Sequence, residues 1–492
     1  LFFALQNKSK SQTFLLSCFT GIVFWTLTIY WLVHVTLPGQ ILLILYLSLY
    51  FGFFGFIISA IGHSPSAIRL FFIPSLWVVL EYLRAHLLTG FGWALLGYSQ
   101  YLNLPIIQIA DFFGVYGVSF LVMMVNVGLW QIIKTRNQKG KLLYSPGLVF
   151  CVLGLGLSLS YGYYKLYRIT NQASPATIKV SIIQGNIPQE LKWASGSQAF
   201  ILDKYIRLTK EAALDRPDLI IWPEASNPGF LGDESDNWIN ENIFNLAREI
   251  KIPLLVGSVV RAERKYFNSA LLINEFGQLS RYDKLHLVPF GEYIPWKGTF
   301  KFLETIVPIG DFTAGDSYTL FSLSPAATLP LSGQAGPGAK FGALICFEDT
   351  LPELSRNFAG EGADFLVNIT NDAWFKETTA PYQHLAASVF RAVENRLPLA
   401  RSANTGVSCF IDSRGRVISR VIQNGKDIFV SGLKTQDIVL GPKVKILYQS
   451  IGDIFVWGCF ALMCFCGIMS KIKRLRLRFR LSNSQPQPQP QP

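Results

Sequence analysis

Charge is scarce in this chain. Only 15% of its 492 residues are Asp, Glu, Lys or Arg, with five histidines and four methionines. Soluble domains usually carry about a quarter of their residues as charges, so a wholly water-soluble protein is a poor fit. Half of the residues are hydrophobic and the mean hydropathy is +0.32. Cysteine is scarce where it would matter for crosslinking. Of seven, Cys18, Cys151, Cys459, Cys464 and Cys466 lie in apolar runs, which leaves Cys346 and Cys409 and no disulfide framework. Cys409 sits in the apolar run Gly406 to Ile411 and reads as a core residue. No metal-ligand spacing and no phosphate loop occur, so neither a metal nor a nucleotide cofactor is expected.

The formal net charge is +12, yet the basic residues cluster beside apolar runs, as in Lys134 to Lys141 and Lys471 to Arg480. Such clusters are topology signals that favour an anionic membrane surface as partner. No basic stripe interleaved with aromatics occurs in the polar part, and no nucleic-acid partner is expected.

Five segments are long enough to cross a hydrocarbon layer of ~30 Å: roughly Phe14 to Leu37, Gln40 to Ile61, Leu70 to Leu88, Ile106 to Ile133 and Leu148 to Tyr167. The third carries Glu81 and Arg84 on one helical face, where they can pair. A sixth span covers roughly Ile451 to Ser470. Lys8 and Lys10, the Lys134 to Lys141 cluster and the Lys471 to Arg480 cluster are all expected on the cytoplasmic side. Counting crossings from there puts the domain between the fifth and sixth spans outside the cytoplasm. The expected organisation is 1–170 as transmembrane helices, 177–435 as an extracytoplasmic domain, 450–470 as the last span and 471–492 as a basic tail ending in a Gln-Pro repeat. Leu1 stands where an initiator methionine is expected, so the chain reads as N-terminally truncated.

Residues 177–435 alternate short β-rich runs (Ile178 to Gln184, Leu219 to Trp222, Pro253 to Val260, Ala270 to Ile273, Gly342 to Cys346, Phe365 to Ile369 and Gly406 to Ile411) with amphipathic helical patterns such as Gln198 to Leu214 and Trp238 to Ile250. This predicts an α/β domain with helices outside its sheets. Two long loops, Ala225 to Asn237 and Tyr293 to Phe312, have the length of lids. Their Phe230, Leu231, Trp296, Phe300 and Phe302 suit contact with lipid.

Three stretches place a reactive residue at or just past an apolar run. Cys346 closes Gly342-Ala343-Leu344-Ile345 and precedes Phe347-Glu348-Asp349. A thiol just before a helix N-terminus gains from the unpaired N–H groups there, which favour the thiolate. A lone cysteine is otherwise a small buried hydrophobe. Glu224 follows Leu219 to Pro223, placed as a general base or as a helix cap. Lys284, eight residues before Glu292, offers a fixed cation for a developing oxyanion or is a solvated surface lysine. His286 reads as a packed histidine.

Glu224, Lys284 and Cys346, with the words Gln184-Gly185-Asn186-Ile187-Pro188-Gln189 plus Lys192 and Trp193, Trp222-Pro223-Glu224, His286 to Glu292, Cys346-Phe347-Glu348 and Asn371-Asp372-Ala373-Trp374-Phe375, resemble the carbon–nitrogen hydrolase (nitrilase) superfamily. The likeness is greatest to its membrane-embedded branch, the apolipoprotein N-acyltransferases. Thr89-Gly90-Phe91 and Gly97-Tyr98-Ser99-Gln100 extend it into the membrane part. The resemblance implies an α-helical transmembrane bundle plus an α/β nitrilase-like four-layer α-β-β-α sandwich, with a Glu-Lys-Cys triad. Glu224 is then the base, Lys284 the oxyanion partner and Cys346 the acylated thiol. Glu292 and Glu348 match supporting carboxylates, Phe347 offers a backbone N–H to the oxyanion, and Trp193 matches a tryptophan associated with the site.

The implied reaction takes an acyl chain from a phospholipid and gives it to the α-amino group of a diacylglyceryl-modified apolipoprotein. The implied setting is the bacterial cytoplasmic (inner) membrane, with the catalytic domain facing the periplasm. The family normally has about two more N-terminal spans than this chain. A membrane-anchored amidase or nitrilase shares the triad and passes the acyl group to water. A non-enzymatic membrane protein whose external domain binds an envelope partner is the third possibility.

Overall fold

The computed structural model describes residues 1–61, 66–135, 146–168, 176–192, 194, 196–295, 311–323, 338–441 and 445–482. Trp193, most of the Tyr293 to Phe312 loop with Trp296, Phe300 and Phe302, and the Gln-Pro tail lie outside the described residues.

Helices α1 (Lys10–Thr28), α2 (Leu37–Ile61), α3 (Ser66–His86), α4 (Ala110–Thr135) and α5 (Pro146–Arg168) come first. Among the described residues, four stretches are long and apolar enough to cross a membrane: Lys10–Thr28, Leu37–Ser59, Ala110–Lys134 and Leu148–Tyr167. Their outward residues are apolar, Leu27, Leu42 and Leu157 among them, as lipid contact requires. The third expected span forms α3, which includes Pro74 and carries Arg69, Glu81 and Arg84. Glu81 and Arg84 both serve the loop that follows. Glu81 Oε1 accepts from the Leu96 N–H at 2.7 Å, and Arg84 Nη1 donates to the Phe91 and Trp93 carbonyls at 2.8 Å each. Two buried charges thus hold a folded loop at the end of the bundle.

The polar domain contains α6 (Gln198–Ala213), α7 (Asn237–Ile250), α8 (Pro352–Gly360) and α9 (Ala380–Asn395) around two sheets. The first sheet orders β1 (Thr177–Gln184), β2 (Leu219–Ile221), β4 (Leu254–Ala262), β5 (Lys265–Ile273) and β6 (Leu279–Asp283). The short β3 (Phe230–Leu231) pairs with β4, and β13 (Gly432–Val439) lies antiparallel on β1. The second sheet runs β7 (Leu320–Ser322), β8 (Lys340–Ile345), β9 (Phe365–Thr370), β10 (Leu399–Ala403), β11 (Cys409–Ile411) and β12 (Val417–Arg420). The parallel pairs β1·β2, β2·β4, β8·β9 and β9·β10 explain the continuous apolar runs of those strands, since both faces are covered.

The two-residue period of a strand then sorts the side chains. Ile182, Leu219, Ile221 and Leu255 enter the core shared with the second sheet. Ile183, Ile220, Trp222, Leu254 and Val256 pack outward under Tyr205 and Leu208 of α6 and Ile239, Ile243 and Leu246 of α7. Ser402 Oγ of β10 donates to the Ile183 and Ile221 carbonyls at 2.8 and 3.2 Å, which ties the sheets together. The order helix, sheet, sheet, helix is the four-layer sandwich the resemblance implies.

Helix α9 is buried along nearly its whole length because the second sheet covers one side and the bundle the other. At its far end Glu394 accepts from the Val115 N–H at 2.8 Å, just after Gly114 (φ 62) kinks α4. Arg396 donates to Asp111 at 2.7 Å, and Asp111 also receives Tyr161. Helix α10 (Ile454–Ser482) is the last described element, with an apolar stretch Ile454–Met469 that is shorter than those four stretches.

Candidate active site

The first sheet delivers Glu224. After β2 the chain turns at Ala225 (φ 44), and the Ser226 and Asn227 N–H groups both donate to the Gly257 carbonyl at 2.8 and 3.0 Å. A Cβ on Gly257 would lie 2.2 Å from the Pro223 carbonyl oxygen and 2.6 Å from Glu224 Cα, so only glycine lets the two strand ends approach this closely. Lys192 Nζ donates to the Glu224 carbonyl at 3.0 Å. Burial, opposed by Glu224 and Cys346, pushes the Lys192 ammonium down to about 8.

The loop 225–237 is no free lid. Its β3 pairs with β4, Phe230 N–H donates to Asp236 at 2.8 Å, and Asp233 pairs with Arg261 at 2.8 Å. Its apolar residues are half-buried as a result.

Lys284 follows β6 directly and is buried. Its Nζ lies 2.8 Å from Glu292 Oε2 and 3.8 Å from Glu224 Oε1. Asn268 of β5 bridges the two carboxylates, with Nδ2 2.8 Å from Oε1 of each. Burial works against the charge on Lys284, but Glu292, Glu224 and the thiol outweigh it and hold the ammonium above the usual lysine range. Lys284 is thus a buried, paired ammonium and not a solvated surface lysine. Glu292 also accepts from the Val288 N–H at 2.7 Å, which closes the turn that carries it.

Cys346 lies one residue past the end of β8, as the first residue of a 3-10 turn, Cys346–Thr350. Its φ is 53, a left-handed conformation that costs a non-glycine residue ~1–2 kcal/mol. Phe347 is next, in the first turn, where N–H groups have no acceptor within the turn. The expected thiolate stabilisation does not prevail. Burial pushes the thiol above its ordinary range and Glu224 adds to that, against the opposing pull of Lys284. A five-residue 3-10 turn is too short a dipole to reverse desolvation.

Glu348 is fully buried and acts as a clamp. It accepts the Ile345 N–H at 2.8 Å, the Leu285 N–H at 2.7 Å, the His286 N–H at 3.2 Å and the Tyr282 hydroxyl at 3.0 Å. One carboxylate therefore joins the cysteine turn to the segment that carries Lys284. Burial, partly offset by these N–H groups and Lys284, raises Glu348 to about 7. His286 stacks on Phe347 with ring centroids 6.1 Å apart, the packed role expected of it.

Phe347, Val288 and Phe375 meet Trp25, Trp31 and Trp93 of the bundle in one apolar cluster, which walls the site on the membrane side. Gln383 of α9 accepts the Trp31 and Trp93 indole N–H groups at 3.0 and 2.7 Å and donates to the Thr28 carbonyl at 2.9 Å. Asn268, Gln383 and the buried His384, Asp349 and Arg401 escaped the sequence reading. Asn268, Gln383, His384 and Arg401 are polar within apolar-patterned strands or helices, and that is the signal that marks them; Asp349 lies in the turn after Cys346, where no such pattern singles it out.

Residues 179–440 match the carbon–nitrogen hydrolase family model, and residues 1–128 match the apolipoprotein N-acyltransferase N-terminal domain. Among curated relatives, the apolipoprotein N-acyltransferase of Geobacter metallireducens is 39% identical over 94% of this chain and 87% of its own length. That of Rhizobium rhizogenes is 34% identical over 81% and 72%, and that of Haemophilus ducreyi 30% over 88% and 81%. A Nesterenkonia amidase from the nitrilase superfamily aligns over 54% of this chain and 92% of that chain at 17% identity, with a TM-score of 0.39.

Proposed function

The chain belongs to the carbon–nitrogen hydrolases and, within them, to the apolipoprotein N-acyltransferases, and on that premise we propose that it acylates apolipoproteins through a thioester on Cys346. The acyl donor is a membrane phospholipid, and the acceptor is the α-amino group of a diacylglyceryl-modified N-terminal cysteine. The observation that carries this reading is that Lys284 stands 3.8 Å from Glu224 while Glu348 ties the Cys346 turn to the Lys284 segment, accepting the Ile345 and Leu285 N–H groups at 2.8 and 2.7 Å.

The thiol is held protonated at neutral pH, so Glu224 removes its proton as sulfur attacks the ester carbonyl. The oxyanion is met by the Lys284 ammonium and the Phe347 N–H. Collapse breaks the ester C–O bond, Glu224 returns the proton to the departing glycerol oxygen, and a lysophospholipid leaves. In the second half-reaction the amine attacks the thioester and Glu224 takes its proton; the C–S bond breaks and Glu224 returns that proton to sulfur, which gives the amide and the free thiol. Glu292 keeps Lys284 charged and in place. The aromatic wall from Trp25, Trp31 and Trp93 favours an acyl chain and disfavours water as the competing acceptor.

The distribution of Lys and Arg supports residues 1–170 and 450–470 as spans of a bacterial cytoplasmic membrane, with 177–435 on the periplasmic side and 471–492 in the cytoplasm. The test uses cells that depend on this copy. Cys346→Ala is expected to leave the protein in the membrane and to abolish lipoprotein N-acylation. Purified protein given phosphatidylethanolamine and phosphatidylglycerol vesicles is expected to gain one acyl mass on Cys346, discharged by a diacylglyceryl-cysteine peptide. Unchanged N-acylation in the variant, or rapid hydrolysis of the adduct with no transfer, overturns the reading.

A further inference from the structure

Behind the cysteine turn lies a closed set of charges that the acyl-transfer steps do not use. His384 of α9 places Nε2 2.9 Å from Asp349 Oδ1 and Nδ1 2.9 Å from Asp372 Oδ1. Nδ1 is hydrogen-bonded to Asp372 Oδ1 and Nε2 to the Cys346 carbonyl oxygen, both acceptors, so both ring nitrogens carry a proton and the ring is an imidazolium. Asp349 Oδ1 stands close to Nε2 as an ion-pair partner without completing a hydrogen bond. Arg401 of β10 closes the set, with Nη1 2.9 Å from Asp349 Oδ2 and Nη2 3.3 Å from Asp372 Oδ2. Its Nη1 also donates to Asn368 Oδ1 at 2.5 Å and to Ser388 Oγ at 2.9 Å. All four charged side chains are almost fully enclosed. Two carboxylates against two cations make the set neutral, the condition under which buried charge is tolerable.

One hydrogen bond leaves this set toward the nucleophile. His384 Nε2 lies 3.3 Å from the Cys346 carbonyl oxygen, which Asn368 Nδ2 also approaches at 3.4 Å. That carbonyl belongs to the residue whose φ is 53, a conformation that persists only where the surroundings over-determine it. From the membrane side, Trp93 packs against the His384 ring with centroids 5.2 Å apart, and the adjacent Gln383 holds the Trp93 indole.

We infer that His384 is a positioning residue for acyl transfer: clamped between Asp349 and Asp372, it holds the Cys346 carbonyl and so keeps the nucleophile in the left-handed backbone conformation that presents its thiol to Glu224 and Lys284. This rests on Cys346 being the acylated thiol. Burial opposes the charge on His384, but Asp349, with Asp372, outweighs burial and Arg401 and raises the ring to about 9, in agreement with the geometry.

The test compares His384→Gln, which retains a donor near the position of Nε2, with His384→Met, which fills the space without one. Acyl transfer from vesicles of phosphatidylethanolamine and phosphatidylglycerol onto Cys346 is followed by mass, per titratable Cys346 thiol. The Met variant is expected to acylate about 100-fold more slowly with an unchanged KM for phospholipid, as a misplaced reacting group does. The Gln variant is expected to stay within about tenfold of the parent. A parental rate per thiol in His384→Met, or equal losses in both variants, overturns the inference. If His384→Met does not fold, Asp372→Leu, which removes the Nδ1 acceptor, takes its place with the same two outcomes. An unmodified Cys346 in the parent protein would instead overturn the acyl-enzyme reading.

Discussion

Lys284 Nζ lies 2.8 Å from Glu292 Oε2, with the lysine side chain 1% and the glutamate 13% exposed. An ammonium so enclosed depends on its carboxylate, because removing one partner of a buried pair costs ~3–5 kcal/mol. Glu292→Ala is therefore expected to destabilise the catalytic domain by about that amount and to slow Cys346 acylation by roughly 100-fold. Thermal unfolding in detergent and the acyl mass on Cys346 check the two effects. Glu292→Asp, which keeps the charge, should recover part of each.

The Cys346 thiol is raised chiefly by burial and further by Glu224, and is lowered by Lys284. Glu224→Gln should therefore shift the pH midpoint of iodoacetamide labelling at Cys346 downward, and Lys284→Met should shift it upward. Both variants should lose acyl transfer. Labelling mapped to Cys346 by mass, across pH, separates reactivity of the thiol from catalysis.

Glu348 satisfies three N–H groups and a hydroxyl at once. Glutamine in its place would turn an NH₂ group toward backbone donors and strand at least one of them. Leaving a buried donor unpaired costs ~1–3 kcal/mol. Glu348→Gln is expected to lower the unfolding temperature and to abolish most acylation, since the Lys284 segment and the cysteine turn lose their common tie. Full acylation in a destabilised variant would contradict this.

His384, faced by Asp349, Asp372, Arg401 and the Cys346 carbonyl, is raised from 6.5 to about 9 in the fold. Its folded value exceeds its unfolded one, so its contribution is complete below about pH 6.5 and lost as pH rises toward about 9. The window corresponds to on the order of 3 kcal/mol. Glu348, raised to about 7, loses its share earlier, between about pH 4.5 and 7. Unfolding temperatures measured from pH 6 to 9.5 should fall in the parent and fall less in His384→Gln.

Asp111 joins the bundle to the catalytic domain, accepting Arg396 at 2.7 Å and Tyr161 at 2.8 Å, with Lys165 at 3.2 Å. Asp111→Ala would leave Arg396 buried against the Gln108 side chain and carbonyl. A loss of ~3–5 kcal/mol is expected, read as a lower unfolding temperature in detergent, with the rate per titratable thiol less affected than in Glu292→Ala.

Most of the sandwich was legible because parallel strands covered on both faces leave continuous apolar runs. Seven of these, Ile178 to Gln184 through Gly406 to Ile411, lie on β1, β2, β4, β5, β8, β9 and β11. The strands that escaped have weaker patterns. β6 (Leu279–Asp283) and β12 (Val417–Arg420) carry charges and lie toward sheet edges, where one-sided burial demands no apolar run. β10 (Leu399–Ala403) is central and fully buried but contains Arg401 and Ser402. Its arginine is paid for by two aspartates distant in sequence, a compensation that no local pattern displays.

The sequence by itself determined that lipid and water share this chain, that the water-exposed part is an α/β domain, and that Glu224, Lys284 and Cys346 stand at strand ends. Those properties follow from hydrophobic runs and their period, which are local. Tertiary structure alone decided what state those residues are in. Glu292 and Asn268 surround Lys284, Glu348 binds its segment to the cysteine turn, and the thiol of the partly buried Cys346 is pushed above its ordinary range where the sequence suggested a thiolate. Electrostatics in a low-dielectric interior depends on distances between residues far apart in the chain, and only folding sets those distances.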